Sequence, residues 1–256
     1  ERGVRLIGPD SGSQACGETG PGRMTEPAEL VKAVLADDVA ELGGRHVVVT
    51  AGPTYEDIDP VRFIGNRSSG RMGFAMADAA ARAGARVSLV AGPVRLDTPA
   101  GVERTDVRSA REMRDAAMQL ARGADVFIAV AAVADYAPVS RAEQKIKKGQ
   151  SKLALELVST PDILAEVAAL PERPFTVGFA AETERLREHA MEKLSRKSLD
   201  MIAANQVGRE GSGFESENND ILLLTADREI PLGTASKAEL ARSIIREVAR
   251  RLEEER

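Results

Sequence analysis

The chain has no tryptophan and only two tyrosines and six phenylalanines in 256 residues. It therefore offers no aromatic surface on which single-stranded nucleic acid could stack its bases. Cysteine is nearly absent: Cys16 stands alone, which rules out an intramolecular disulfide and suits a reducing cytoplasm. The two histidines, His46 and His189, lie far apart, and no Cys/His spacing fits a zinc site. Long apolar runs are missing too. The longest, Val126 to Ala134, is about half of what a membrane-spanning helix needs. No basic-then-apolar leader opens the chain, and its start at Glu1 rather than Met suggests a piece of a longer protein. Nor is there a surplus of positive charge. Thirty-five Lys and Arg against 40 Asp and Glu leave a net −5, which attracts neither nucleic acid nor an anionic membrane. An anionic ligand must be held by locally placed Lys, Arg and backbone N–H groups.

What remains is ordinary globular composition, 43% hydrophobic and 29% charged, enough for one large domain or one domain with an appendage. Residues 1 to 42 differ from the rest. Gly8 to Met24 is rich in Gly, Ser and Pro and reads as a loop or tail. Glu26 to Leu42 carries Leu30, Val34, Leu35, Val39 and Leu42 at helical spacing, with Thr25 as N-cap and Gly43-Gly44 as stop. From Arg45 on, apolar strands alternate with helices. Strands are expected at His46–Thr50, Val87–Val90, Val126–Val133, Phe175–Phe179, Leu199–Ala204 and Asp220–Thr225. Helices are expected at Gly70–Ala83, Ala110–Arg122, Glu182–Ser198 and Lys237 to about Glu254. Such alternation predicts a parallel sheet covered on both faces. Ligands of such sheets bind beyond the carboxyl ends of the strands.

Four segments after those strands carry candidate chemistry. In the first, Asn66, Ser68 and Ser69 precede Gly70 and Gly73 at the start of an Ala-rich helix, with Arg62, Arg67 and Arg71 nearby. Free helix N–H groups, a favourable dipole and close backbone approach suit phosphate; an ordinary Ser-capped helix start fits the same residues. The loop matches neither the Walker nor the dinucleotide fingerprint. In the second, Asp135 follows an all-apolar strand, as a ligand contact or as an Asx turn. In the third, Lys145, Lys147 and Lys148 lie in a long polar stretch, either a solvated loop or a flap that closes on a polyphosphate. In the fourth, Phe179 packs on a base or in the core, while Lys193 and Lys197 share a helix face and Asn205 closes the next strand as a candidate polar contact.

Taken together, Ala51-Gly52-Pro53-Thr54, Asp59-Pro60-Val61-Arg62, Asn66 through Gly73, Ala131 through Tyr136, Lys145 through Lys148, Pro161-Asp162-Ile163 and Gly178 through Thr183 resemble the ordered motifs of bacterial phosphopantothenoylcysteine synthetase. The resemblance runs from about residue 43 to the C-terminus. It implies a Rossmann-like α/β fold with a mostly parallel sheet, helices on both faces and a lysine-containing flap. It also implies a ligase, unrelated to the ATP-grasp enzymes, that joins 4′-phosphopantothenate to L-cysteine in coenzyme A biosynthesis. CTP activates the acid as an acyl-cytidylate, with Mg²⁺ bridging phosphates, and pyrophosphate and CMP are released. Carried over by position, Asn66 and Lys145 are catalytic. Gly52, Ser68, Gly70, Gly73, Ala129, Val130, Ala131, Asp135, Lys145, Thr160, Pro161, Asp162, Ile163, Phe179, Lys193, Lys197 and Asn205 bind CTP. Arg62, Asn66, Ala132 and Asp135 meet phosphopantothenate. The resemblance further implies a homodimer whose flap comes from the neighbouring subunit.

Gly8 to Met24 resembles the C-terminal clamp of phosphopantothenoylcysteine decarboxylase, a flavin domain commonly fused before the synthetase. In that family a cysteine matching Cys16 is an acid, in an Ala-Cys-Gly-Asp motif that reads Ala-Cys-Gly-Glu in this chain. The flavin-binding body is not among these residues, so neither flavin nor decarboxylase activity is expected of them. Two other readings compete with the ligase. A dinucleotide-dependent reductase would need a glycine fingerprint after Val47–Thr50 and an acidic residue ending the second strand. The sequence has Ala-Gly-Pro-Thr and Ala91-Gly92-Pro93 at those places. A dimerisation module without catalysis would have little use for a lysine flap.

Overall fold

The computed structural model describes residues 8, 10–13, 19–27, 30, 41–148, 153–182, 184–206 and 218–254. The chain divides into two compact units, residues 1–39 and 40–256. In the first, β1 (Asp10–Ser13) and β2 (Thr19–Arg23) form an antiparallel pair where the sequence reads as a loop. Cys16 and most of the expected helix at 26–42 lie outside the described residues.

The second unit begins with β3 (His46–Ala51), followed by a small antiparallel pair, β4 (Tyr55–Asp57) and β5 (Phe63–Gly65). Next come α1 (Arg71–Arg82), β6 (Arg86–Ala91), β7 (Val102–Asp106), α2 (Ala110–Ala121) and β8 (Val126–Ala129). A second small pair follows, β9 (Tyr136–Pro138) with β10 (Leu157–Ser159), then α3 (Ile163–Ala168), β11 (Phe175–Glu182), α4 (Leu186–Arg196) and β12 (Met201–Gln206). The unit closes with β13 (Asn218–Leu224), β14 (Glu229–Ser236) and α5 (Lys237–Glu254).

Eight strands make one sheet in the order β14-β13-β12-β11-β8-β3-β6-β7. From β7 to β12 all neighbours are parallel, and β13 runs antiparallel to both β12 and β14. Side-chain alternation along the strands divides the core into two layers. Val47, Val49, Ala51, Met201, Ala203, Ile221 and Leu223 face α1 and α5, which pack against each other. Val48, Ile202, Ala204 and Leu224 face α2, α3 and α4. Each Leu, Ile or Met removed from water in these layers contributes roughly 1.5–3 kcal/mol. In α5, Leu240, Ala241, Ile244, Ile245, Val248 and Ala249 recur at the spacing of one helix face, and all are buried. α2 starts in a capping box, where Ser109 accepts from the Glu112 N–H and the Glu112 carboxylate accepts from the Ser109 N–H. This is a Rossmann-like α/β sheet with one reversed strand near its edge.

Among the boundaries that differ from those read in the sequence, two move by four residues. The strand expected to reach Val133 stops at Ala129, because its neighbour β3 ends where Gly52 turns with φ +78. Val130 and Ala132 then follow that turn, donating to the Thr50 and Gly52 carbonyls. The helix expected from Glu182 begins at Leu186, since Ala180 to Glu182 extend β11 beside Ala204 to Gln206. The strands β7 and β14, the short helix α3 and both small hairpins were not expected at all.

Candidate active site

Because β3, β8, β11 and β12 run parallel, their following loops gather at one edge of the sheet, around a cleft of about 860 Å³. One wall is the segment Asn66 to Gly73. α1 begins without a side-chain cap and without an acidic residue in its first turn, so its first N–H groups have no helical partner. Ser68 Oγ accepts from the Gly70 N–H at 3.2 Å. Gly70 caps the helix at φ 76, a backbone conformation that disfavours side chains. A Cβ at Gly73 would lie 2.5 Å from the Ala51 Cβ, so α1 rests directly on β3. Gly73→Ala is therefore expected to cost about 1–3 kcal/mol of stability and to weaken binding of anions at this wall. Urea unfolding and pyrophosphate titration check both.

The second wall is Ala129 to Asp135, and beyond its bonds to Thr50 and Gly52 further hydrogen bonds fix it. The Ala134 N–H donates to Thr54 Oγ1 at 2.9 Å, and Thr160 Oγ1 donates to the Ala134 carbonyl at 2.6 Å. The Thr160 N–H donates to the Asp135 carbonyl at 3.0 Å. Asn66 Nδ2 donates to the Val133 carbonyl at 2.8 Å, tying the first wall to the second. Asp135 stands exposed at the lip.

The third wall joins Thr160 to Ile163 with Phe179, Lys193 and Lys197. Lys193 Nζ donates to the Phe179 carbonyl at 2.7 Å, and Lys197 Nζ lies 2.7 Å from the Asp162 carboxylate. Partial burial works against the Asp162 charge. Lys197, the Ala165 N–H and the charge of Lys193 outweigh it and hold the carboxyl below its usual range. Phe179 is half-buried, packing on the core while also lining the cleft.

Asn205 lines the inner end of the cleft with Asn219 and Lys237, which sequence reasoning missed. A signal was present: Asn219 shares the core-facing alternation of Ile221 and Leu223, where an apolar residue is the rule.

Gly52, Arg62 and Lys145 are not among the lining residues of this cleft. Gly52 stands behind Gly70, 3.5 Å from where its Cβ would be. Arg62 is engaged by Asp59, whose carboxylate is 1% exposed. That carboxylate accepts from the N–H groups of Val61 (2.8 Å), Arg62 (2.9 Å) and Ile146 (3.1 Å) and from the Arg62 guanidinium. Burial opposes the charge of Asp59, but these donors hold its carboxyl far below the usual range. Arg62 also donates to the Ile146 carbonyl at 2.7 Å. The lysine segment is thus pinned at Ile146, while Lys145 and Lys147 on either side are exposed. Among the described residues no three His, Cys, Asp or Glu gather as a metal cluster, and no helix is long and apolar enough to cross a membrane.

An eight-stranded, mostly parallel sheet with a polar cleft at its strand ends defines a Rossmann-like ligand-binding domain. Residues 42–252 match the model of the DNA/pantothenate metabolism flavoprotein C-terminal domain, and the chain belongs to that family. Over 250 residues it is 52% identical to the coenzyme A biosynthesis bifunctional protein CoaBC of Vibrio cholerae, covering 95% of this chain and 62% of the relative. It is 47% identical over 259 residues to the Escherichia coli protein of the same name, covering 99% of this chain and 64% of the relative. The chain thus spans somewhat under two thirds of the relatives' length. A crystal structure of the C-terminal domain of CoaBC superposes with TM-score 0.73 at 38% identity, covering 84% of this chain and 99% of that one.

Proposed function

We propose that the chain is a CTP-dependent phosphopantothenate–cysteine ligase, the amide-forming part of a bifunctional coenzyme A biosynthesis protein. The observation that carries the reading is the junction of two walls. Asn66, bonded to the Val133 carbonyl, stands directly before the uncapped N-terminus of α1. A carboxylate held at Asn66 and a phosphate held at Ser68 to Gly73 are then within reach of one another. The names of the CoaBC relatives support the same pathway.

In the first step a carboxylate oxygen of 4′-phosphopantothenate attacks the α-phosphorus of CTP. The bond to the bridging oxygen breaks, and its electron pair leaves on pyrophosphate. In the second step the cysteine amine attacks the acyl carbon, loses a proton and expels CMP. Both steps call for charge stabilisation more than for a strong base. Mg²⁺ usually keeps several waters and binds through one or two carboxylates plus phosphate oxygens. The cleft fits that mode: its carboxylates are Asp135 and Asp162, and Asp162 is already paired with Lys197. Asp135 would hold the ion, which supplies neutralisation of phosphate charge.

The protein acts as a homodimer in this reading. Val61, Phe63, Tyr136, Val139, Leu157 and Val158 are exposed on and beside the two small hairpins, a concentration of apolar surface that suits association. The partner's lysine segment would then reach this cleft. Residues 1–42 belong to the decarboxylase fused before the ligase. Pyrophosphate release in the presence of phosphopantothenate tests the function. Release is expected with CTP well above ATP, with CMP appearing only once cysteine is added. No release with either nucleotide overturns the proposal.

A further inference from the structure

We propose that Asn205, Asn219 and Lys237, at the inner end of the cleft, form the seat of the departing pyrophosphate. The inference rests on the ligase reading and assigns a role to a part of the site outside the motifs. Three adjacent strand ends build it. Asn205 is the last residue but one of β12, Asn219 is the second residue of the antiparallel β13, two residue pairs further out, and Lys237 is the first residue of α5, directly after β14. Both asparagines point to the α1 and α5 face, in step with Ala203 and Ile221. All three residues line the cleft although they are only 7%, 5% and 7% exposed.

Oδ1 of Asn205 and Oδ1 of Asn219 are sealed from solvent and have no hydrogen-bond partner. They fix how each carboxamide is turned; an amide oxygen accepts only and gains nothing from an anion. With the oxygens turned into the protein, the carboxamide N–H groups are what these residues present to a ligand. Two amide donors beside an ammonium suit an anion. The uncapped N-terminus of α1, which begins at this cleft, reinforces the charge, whereas that of α5 is already capped by Ser236 and Glu239. The carboxylates of the cleft, Asp135 and Asp162, belong to other walls.

Reaction geometry places the leaving group at this end. Displacement at phosphorus sets the attacking and leaving oxygens roughly in line. The acid enters at Asn66, tied to the segment that follows β8. β12 and β13 lie two and three strands beyond β8, roughly 10–15 Å away at the usual strand spacing. Pyrophosphate thus departs away from the acid, toward Lys237.

Calorimetric titration with inorganic pyrophosphate and Mg²⁺, with CMP as the comparison ligand, tests the assignment without turnover. Asn219→Ala and Lys237→Met are each expected to weaken pyrophosphate about tenfold or more and to leave CMP unchanged. Lys237→Arg and Asn219→Ser, which disturb packing less, should give smaller losses in the same direction. Thermal unfolding of every variant separates a lost site from a lost fold. Unchanged pyrophosphate affinity in folded variants, an equal loss for CMP, or no pyrophosphate binding by the wild-type protein overturns the inference. A wild-type protein that binds pyrophosphate yet releases none from CTP overturns the ligase reading instead.

Discussion

Asn66→Asp is expected to release pyrophosphate in a first turnover of near-normal size and then to form the amide about 100-fold more slowly or worse. The two steps place charge at different atoms. In the ligase proposed above, it grows during activation on the α-phosphate, for which the donors would be the uncapped start of α1 and the Ser68 to Gly73 backbone that line the cleft. Those donors are untouched by the substitution. During amide formation it grows on the acyl oxygen, beside the Asn66 carboxamide. Aspartate has no N–H to offer there and adds a negative charge of its own, and it also loses the bond to the Val133 carbonyl. Rapid-quench measurement of pyrophosphate and CMP at saturating phosphopantothenate separates the steps. CMP release at the wild-type rate sinks the role given to Asn66.

Asp59→Ala is expected to lower kcat/KM for pyrophosphate formation about 100-fold, although Asp59 does not line the cleft. A displacement of about 1 Å in a group that positions the reaction can cost that much. Asp59 is a positioning residue. Its carboxylate holds the Arg62 guanidinium and the Ile146 N–H together, and so fixes the segment carrying Lys145. Removing it leaves several buried donors without an acceptor and frees that segment. Its carboxyl is held well below the usual carboxylate range. The stabilisation it brings is therefore complete above the unfolded value and is lost only as pH falls through the folded one. The ratio of wild-type to variant rates should accordingly stay flat from about pH 5 upward. A variant with unchanged kcat/KM, or a ratio that changes between pH 5 and 8, contradicts this account.

The parts of the fold that the sequence revealed are those where one periodicity holds for several residues. His46 to Thr50 and Val87 to Val90 are β-branched and apolar runs, and both are buried strands. Lys237 to Glu254 keeps a single apolar face for five turns and is one helix. β14 escaped notice because its sequence, Glu-Ile-Pro-Leu-Gly-Thr-Ala-Ser, carries a Pro and a Gly that ordinarily argue against a strand. It tolerates both as an edge strand with an irregular register near Gly233 and Pro231. β4, β5, β9 and β10 are three residues each, too short to establish a period.

The candidate site shows the same divide. Ser68 to Gly73, Asp135, and Lys193 with Lys197 all lie in the segments that follow parallel strands of the sheet, so the rule about strand ends finds them. Asn219 and Lys237 escaped it. Asn219 precedes the apolar run of an antiparallel strand and reaches the same edge from the opposite direction. Lys237 follows a strand that went unrecognised. Arg62 was visible as a charge, but its attachment to Ile146 joins positions 84 apart in the sequence.

The packing of α1 on α5 sets an order of events during synthesis. α1 ends at Arg82 and α5 begins at Lys237, so about 155 residues must be made before the partner of Met72 and Met76 exists. At ribosomal speed that takes about ten to thirty seconds. Throughout that interval the part of the α1 surface that α5 later covers has β3 and β6 beside it but not yet α5. That exposed surface is a natural stopping place for a holding chaperone.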